Sequence, residues 1–231
     1  MKFTYLLIDL FTIVVPLLFS FHPRLKFYKT WNAFFPAVFI TGIAFLIWDA
    51  YFTHLKVWGF NEKYITGLKA GNLPVEEILF FFCIPYACVF TYYCLGNFIK
   101  IKLSQVAENL VTFSIILISL LVSIFYHDKI YTAFTFSFLA LLLFIAKYIL
   151  KVNWLPGFYI IYIILLIPFL IVNGLLTGTG LNAPVVWYNN QETLGIRILT
   201  IPFEDVFYGM DLILLNVIFY TAKKNYKKTI V

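Results

Sequence analysis

Charge is scarce in this chain. Asp, Glu, Lys and Arg make up 12% of its 231 residues, while Ala, Val, Ile, Leu, Met, Phe, Trp, Tyr and Cys make up 62%. Soluble domains run nearer a quarter charged and a half apolar, so this composition excludes a globule wholly surrounded by water. Cysteine is equally sparse. Cys83, Cys88 and Cys94 fall in one apolar run, which excludes a disulfide framework, and their C-x4-C-x5-C spacing is not a zinc pattern. They read as small hydrophobes in a helix. No D-x-x-D or D-D pattern occurs, which removes the magnesium–diphosphate chemistry of membrane prenyltransferases. No Lys lies within 201–222, which removes a retinal Schiff base on a seventh helix. The net charge of +6 comes from short loops between apolar runs rather than from a basic stripe, so nucleic acid is not expected as a partner. The first apolar run, Phe3–Phe21, lacks the basic start and small-x-small cleavage site of a signal peptide and reads as a membrane helix.

What the chain does hold is apolar length. About 20 apolar residues span a bilayer as a helix, and seven runs qualify: roughly 3–21, 33–53, 75–96, 106–126, 130–150, 155–175 and 201–222. The expected fold class is all-α, a polytopic membrane protein. With the N-terminus outside, eleven of the 17 Lys and Arg residues face the cytoplasm, among them Lys100, Lys102 and the tail Lys223, Lys224, Lys227 and Lys228. The positive-inside rule therefore predicts N-outside, C-inside, with the cytoplasmic (inner) membrane as the location.

The two long outer loops resemble one another. One carries Val57-Trp58-Gly59-Phe60-Asn61, Gly67-Leu68 and Leu73-Pro74-Val75-Glu76-Glu77. The other carries Val186-Trp187-Tyr188-Asn189-Asn190, Gly195-Ile196 and Ile201-Pro202-Phe203-Glu204-Asp205. The Trp-to-Pro spacing is 16 in one and 15 in the other. This is an internal repeat. It implies a first repeat at 1–97 (helices one to three), a connector helix within 98–128, and a second repeat at 129–231 (helices five to seven). The connector gives both halves the same orientation, with a pseudo-twofold axis along the membrane normal that would bring helices three and seven together.

Four of the 11 acids form two adjacent pairs, Glu76-Glu77 and Glu204-Asp205, each two residues after a proline and at the head of an apolar run. Pro suits a first helical turn, and acids there complement the helix dipole. One such pair is ordinary helix-start chemistry; its repetition after matching loops points to function. Like charges gathered together cannot all ionise, so one carboxyl keeps its proton and can donate it while a neighbour accepts. Asp49, inside the second run, is either a further site residue or an edge residue paired with Lys56. Asn173 stands near the corresponding place in the second half. Asp211 is expected to make an inter-helix hydrogen bond. Many aromatics lie near these acids, and ring faces can stabilise a carbocation.

The twin Pro-x-Glu-[Glu/Asp] motifs at Pro74–Glu77 and Pro202–Asp205 are accompanied by Phe45-Leu46-Ile47-Trp48-Asp49, Val57-Trp58-Gly59-Phe60-Asn61 and Pro85-Tyr86-Ala87-Cys88-Val89-Phe90. In these the chain resembles the membrane-bound lycopene cyclases of the heterodimeric bacterial type, also found fused in fungal bifunctional proteins. The resemblance implies an acid–base isomerisation without net redox. A proton adds to a terminal double bond of lycopene, an internal double bond attacks the cation, and proton loss leaves a β-type ring. It assigns proton transfer to Glu76, Glu77, Glu204 and Asp205, with Asp49 as a further candidate, and implies neither cofactor nor metal. The partners implied are a lipid-soluble polyene and the bilayer, with other carotenoid enzymes or a second copy of the chain left open. Cyclases of longer carotenoids would share these features. A proton- or cation-coupled transporter is the rival reading, because acids at pseudo-symmetric helix ends can also relay ions. Gly178-Thr179-Gly180-Leu181-Asn182-Ala183 matches a dinucleotide fingerprint but follows a helix rather than a strand.

Overall fold

A computed structural model describes residues 2–98 and 104–229. Lys100 and Lys102, and the side chains of Lys227 and Lys228, all counted in the charge bias, lie outside the described residues. Among the described residues seven α-helices run in order: α1 Thr4–Phe19, α2 Trp31–His54, α3 Val75–Phe98, α4 Gln105–Phe125, α5 Ile130–Phe144, α6 Leu155–Leu176 and α7 Phe203–Thr229. Six apolar spans are long enough to cross a membrane, the α5 span continuing through a π-turn to Ile149. The 16-residue α1 is shorter, roughly 24 Å at 1.5 Å per residue. Large apolar side chains such as Phe11 and Phe125, both 73% exposed, cover the outside. In water they would be a liability; against lipid they complete the fold.

Local chemistry sets the helix starts. Ser104 Oγ accepts from Ala107 N at 3.2 Å and caps α4, as a short hydroxyl side chain does at an N-cap. Lys147 Nζ reaches Glu108 Oε1 at 2.6 Å and ties the head of α4 to the end of α5. Pro74 and Pro202 do not enter the first helical turn as the sequence suggested. Each sits one residue earlier, closing a two-stranded ribbon. These ribbons are β2 Lys69–Ala70 with β3 Leu73–Pro74, and β5 Arg197–Ile198 with β6 Ile201–Pro202. A ribbon edge tolerates a residue without an N–H.

The two halves meet in a third ribbon, β1 Trp58–Phe60 antiparallel to β4 Val186–Tyr188. Asn61 N donates to Val185 O at 2.9 Å, and Asn189 N donates to Val57 O at 2.8 Å. These reciprocal bonds are the signature of a twofold relation between halves. They also correct the alignment read from sequence. Val57 matches Val185 and Asn61 matches Asn189, so the two Val-Trp pairs are one residue out of register and Trp58 is not the counterpart of Trp187. Gly59 lies opposite Trp187 at the centre of the ribbon. A Cβ on Gly59 would come within 2.4 Å of the Trp187 ring, so only glycine lets that indole cross the axis. Beneath the ribbon, α1 packs on α3, α5 on α7, α2 on α7 and α3 on α6, with α3 and α7 in contact.

Candidate active site

The paired acids divide their work the same way in both halves. Glu76 Oε1 accepts from Thr66 N at 2.6 Å, and Glu204 Oε1 accepts from Leu194 N at 2.5 Å, across a separation of 10 residues in each case. Glu204 Oε1 also accepts from Thr132 Oγ1 at 2.6 Å. The first acid of each pair thus holds the preceding loop against the helix head. The second acid turns the other way. Glu77 Oε2 accepts from Tyr5 OH at 2.5 Å, and Asp205 Oδ1 accepts from Tyr131 OH at 2.6 Å. Tyr5 and Tyr131 are placed alike: their backbone N–H groups donate to Tyr64 O and Glu192 O, both at 3.1 Å.

Glu77 and Asp205 line a single apolar cavity of about 480 Å³, and Asp49 joins them. Its size falls within the range of small-molecule sites. Of the five acids singled out in the sequence, three line this cavity and two, Glu76 and Glu204, do not. Trp58 Nε1 donates to Asp49 Oδ1, leaving Oδ2 with no partner. No bridge to Lys56 forms; the ion pairs among the described residues are Lys69–Glu62 and Lys147–Glu108. Three donors converge on Asp205: Tyr131, then Asn173 Nδ2 at 2.8 Å and Tyr188 OH at 3.0 Å, both on Oδ2. Asn173 therefore keeps polarity where the first half has Asp49, and spends it on a carboxyl of its own half.

Four rings surround these acids. Trp58 lies 5.1 Å from Tyr131 and 6.1 Å from Tyr208, centroid to centroid, and Tyr131 lies 6.0 Å from Tyr188. Tyr188 lies in the loop segment, outside the spans. Loss of water around its phenol and the neighbouring Asp205 both push its pKa well above the usual tyrosine value, so it remains a donor. The sequence places many aromatics near these acids but does not single out Tyr5, Tyr131 or Tyr188. Matching the helix starts of the two halves would have paired Tyr5 with Tyr131.

Asp211 differs from expectation. It is fully buried, with no hydrogen bond to either oxygen, and it does not line the cavity. Asp9 on α1 shares this isolation. Gly178 and Gly180 adopt positive φ in the turn after α6, so the glycine-rich match is a turn, with no strand before it. Among the described residues no three His, Cys, Asp or Glu side chains gather as metal ligands.

The family model described as Lycopene cyclase matches residues 2–95 and 128–222. These two stretches contain the two sets of mirrored hydrogen bonds and leave the whole of α4 between them. No curated protein and no solved structure matches the chain. With most of its length matched in two repeated regions, the chain belongs to the lycopene cyclase family.

Proposed function

We propose that this protein closes the ψ end groups of lycopene into β-type rings by proton transfer alone, at the cavity between the two halves. The observation that carries the reading is the lining: Asp49, Glu77 and Asp205 face one apolar space walled by Trp58, Tyr131, Tyr188 and Tyr208. A carboxylic acid protonates the terminal double bond, and the tertiary cation is attacked by an internal double bond. A carboxylate removes a proton from the new ring. Protons taken and returned balance, and no electron is transferred. Asp205, with three donors, is arranged as an anion and suits the acceptor. Glu77 and Asp49, with one donor each, suit the acid that starts the reaction. Each step of this kind contributes about 10²–10⁴-fold, and ring faces add roughly 0.5–2 kcal/mol of cation stabilisation apiece. Glu76 and Glu204 act in this account as positioning residues, through the loops they hold.

An apolar lining fits a hydrocarbon better than a hydrated ion, which favours cyclisation over transport. The lysine-rich tail supports a cytoplasmic C-terminus and an N-terminus outside, in the inner membrane. The test is to supply lycopene to the protein in membranes made up in deuterated water, with no ion gradient. Cyclic product carrying one deuteron per ring supports the proposal. Recovery of unchanged lycopene from well-folded protein contradicts it.

A further inference from the structure

The reading of the site as a polyene cyclase raises a second matter: how a long hydrocarbon reaches acids enclosed by helices. The pseudo-twofold relation answers it, because it creates the same inter-helix cleft twice. One copy lies between α1 and α6, the other between α5 and α2. The register of the clefts is set by paired contacts. Tyr5 matches Tyr131 through their bonds to Glu77 and Asp205. Phe52 matches Leu176 because Val57 N donates to Phe52 O at 3.0 Å and Val185 N to Leu176 O at 2.9 Å.

With that register, the α2–α5 cleft is filled by rings. Trp48 lies 4.5 Å from Phe134 and 5.6 Å from Phe138, and Phe52 lies 5.7 Å from Phe134. What remains is a hollow of about 290 Å³ whose lining contains no acid. In the α1–α6 cleft the matching positions hold smaller side chains. Val172 stands for Trp48, Leu176 for Phe52, Ile8 for Phe134 and Thr12 for Phe138. All four line the cavity that contains Asp49, Glu77 and Asp205. So do Phe11 and Ile171, which are 73% and 62% exposed on the outer face. The space therefore runs from the carboxyls to the lipid side of α1 and α6. Both helices carry a proline at this level, Pro16 and Pro168, where their counterparts have Leu142 and Ala44. A proline removes a backbone hydrogen bond and loosens close helix packing.

We infer that the α1–α6 cleft is a lateral portal through which a linear polyene passes from the bilayer into the cavity, and that the α2–α5 cleft is its plugged counterpart. The end of the chain lies among the acids while the rest stays between α1 and α6 and in lipid. The occupant is fixed by the lining, which is apolar to the outer face, and by the medium it opens into.

The test transplants the plug. Wild type, Thr12→Phe/Val172→Trp, and a control with equal bulk on the outer face of the closed cleft, Ile43→Phe/Ile47→Trp, are reconstituted in lipid nanodiscs with lycopene. Retained pigment is read by absorbance and conversion by chromatography, and each variant is first shown to elute as the folded protein does. The expected result is a retention at least 10-fold lower in the plugged variant, with the control equal to wild type. Equal retention in the plugged variant overturns the portal, whatever the conversion. Loss in the control to the same degree also overturns it. Wild type that retains lycopene without converting it would sink the proposed reaction and leave the portal standing. Wild type that retains none would sink the portal as a polyene route.

Discussion

Asp49 and Asn173 occupy matching places near the ends of α2 and α6, yet they serve different ends. Asp49 takes the Trp58 indole N–H and keeps its other oxygen buried without a partner. Asn173 donates to Asp205 and helps surround it with donors. The same divergence runs through the two halves. The mirrored hydrogen bonds at Glu76 and Glu204, and at Tyr5 and Tyr131, preserve the frame. The residues inside that frame differ, so that the first half contributes acids with few donors and the second contributes one acid with many. A twofold frame with unlike contents places three acids along one cavity and surrounds each with a different set of donors.

Six substitutions sharpen that comparison. The largest effect is expected from Glu77→Gln and Asp205→Asn, each lowering the rate of cyclisation by about 10²–10⁴-fold because each removes a proton-transfer group from the cavity; initial rates at saturating lycopene check it. Asp49→Asn installs the amide that the second half tolerates at Asn173. A fall of about 10²-fold without loss of folded protein would show that the half needs the acid and not merely the polarity. Glu76→Ala and Glu204→Ala strip the acceptor from Thr66 N and Leu194 N, and are expected to lower stability by about 1–3 kcal/mol, seen as an earlier thermal transition, with activity reduced far less than in Glu77→Gln. The smallest effect on rate is expected from Asp211→Cys, which transplants the matching first-half residue, Cys83. Removing a buried carboxyl without partners should raise stability by about 1–3 kcal/mol. A drop in rate greater than 10-fold would instead draw Asp211 into the proton path.

Much of the frame could be read from the chain because it rests on periodicity and punctuation. Seven apolar runs and two Pro-x-acid-acid motifs foreshadowed the helices to within a few residues, except that α7 runs on to Thr229, seven residues past the last run. The site was only partly visible. Sequence placed Glu76 beside Glu77 and Glu204 beside Asp205, but neighbours on a helix point about 100° apart, and only the packed structure shows which of each pair faces the cavity. Tyr5, Tyr131 and Tyr188 were lost among 16 tyrosines, since a hydrogen bond across 72, 74 or 17 residues leaves no local trace. The repeat was found through its Val-Trp pairs, which are not equivalent; strand register follows from backbone pairing, and a slip of one residue changes which face a side chain takes.

The central claim is that the second acid of each motif does the chemistry and the first holds the frame. The most direct measurement compares pigments from lycopene-accumulating cells that express wild type, Glu77→Gln or Glu76→Gln, with membrane protein levels matched. The account predicts cyclic carotenoids from wild type and from Glu76→Gln, whose amide oxygen still accepts from Thr66 N, and unchanged lycopene from Glu77→Gln. Cyclic product from Glu77→Gln together with its absence from Glu76→Gln would contradict it.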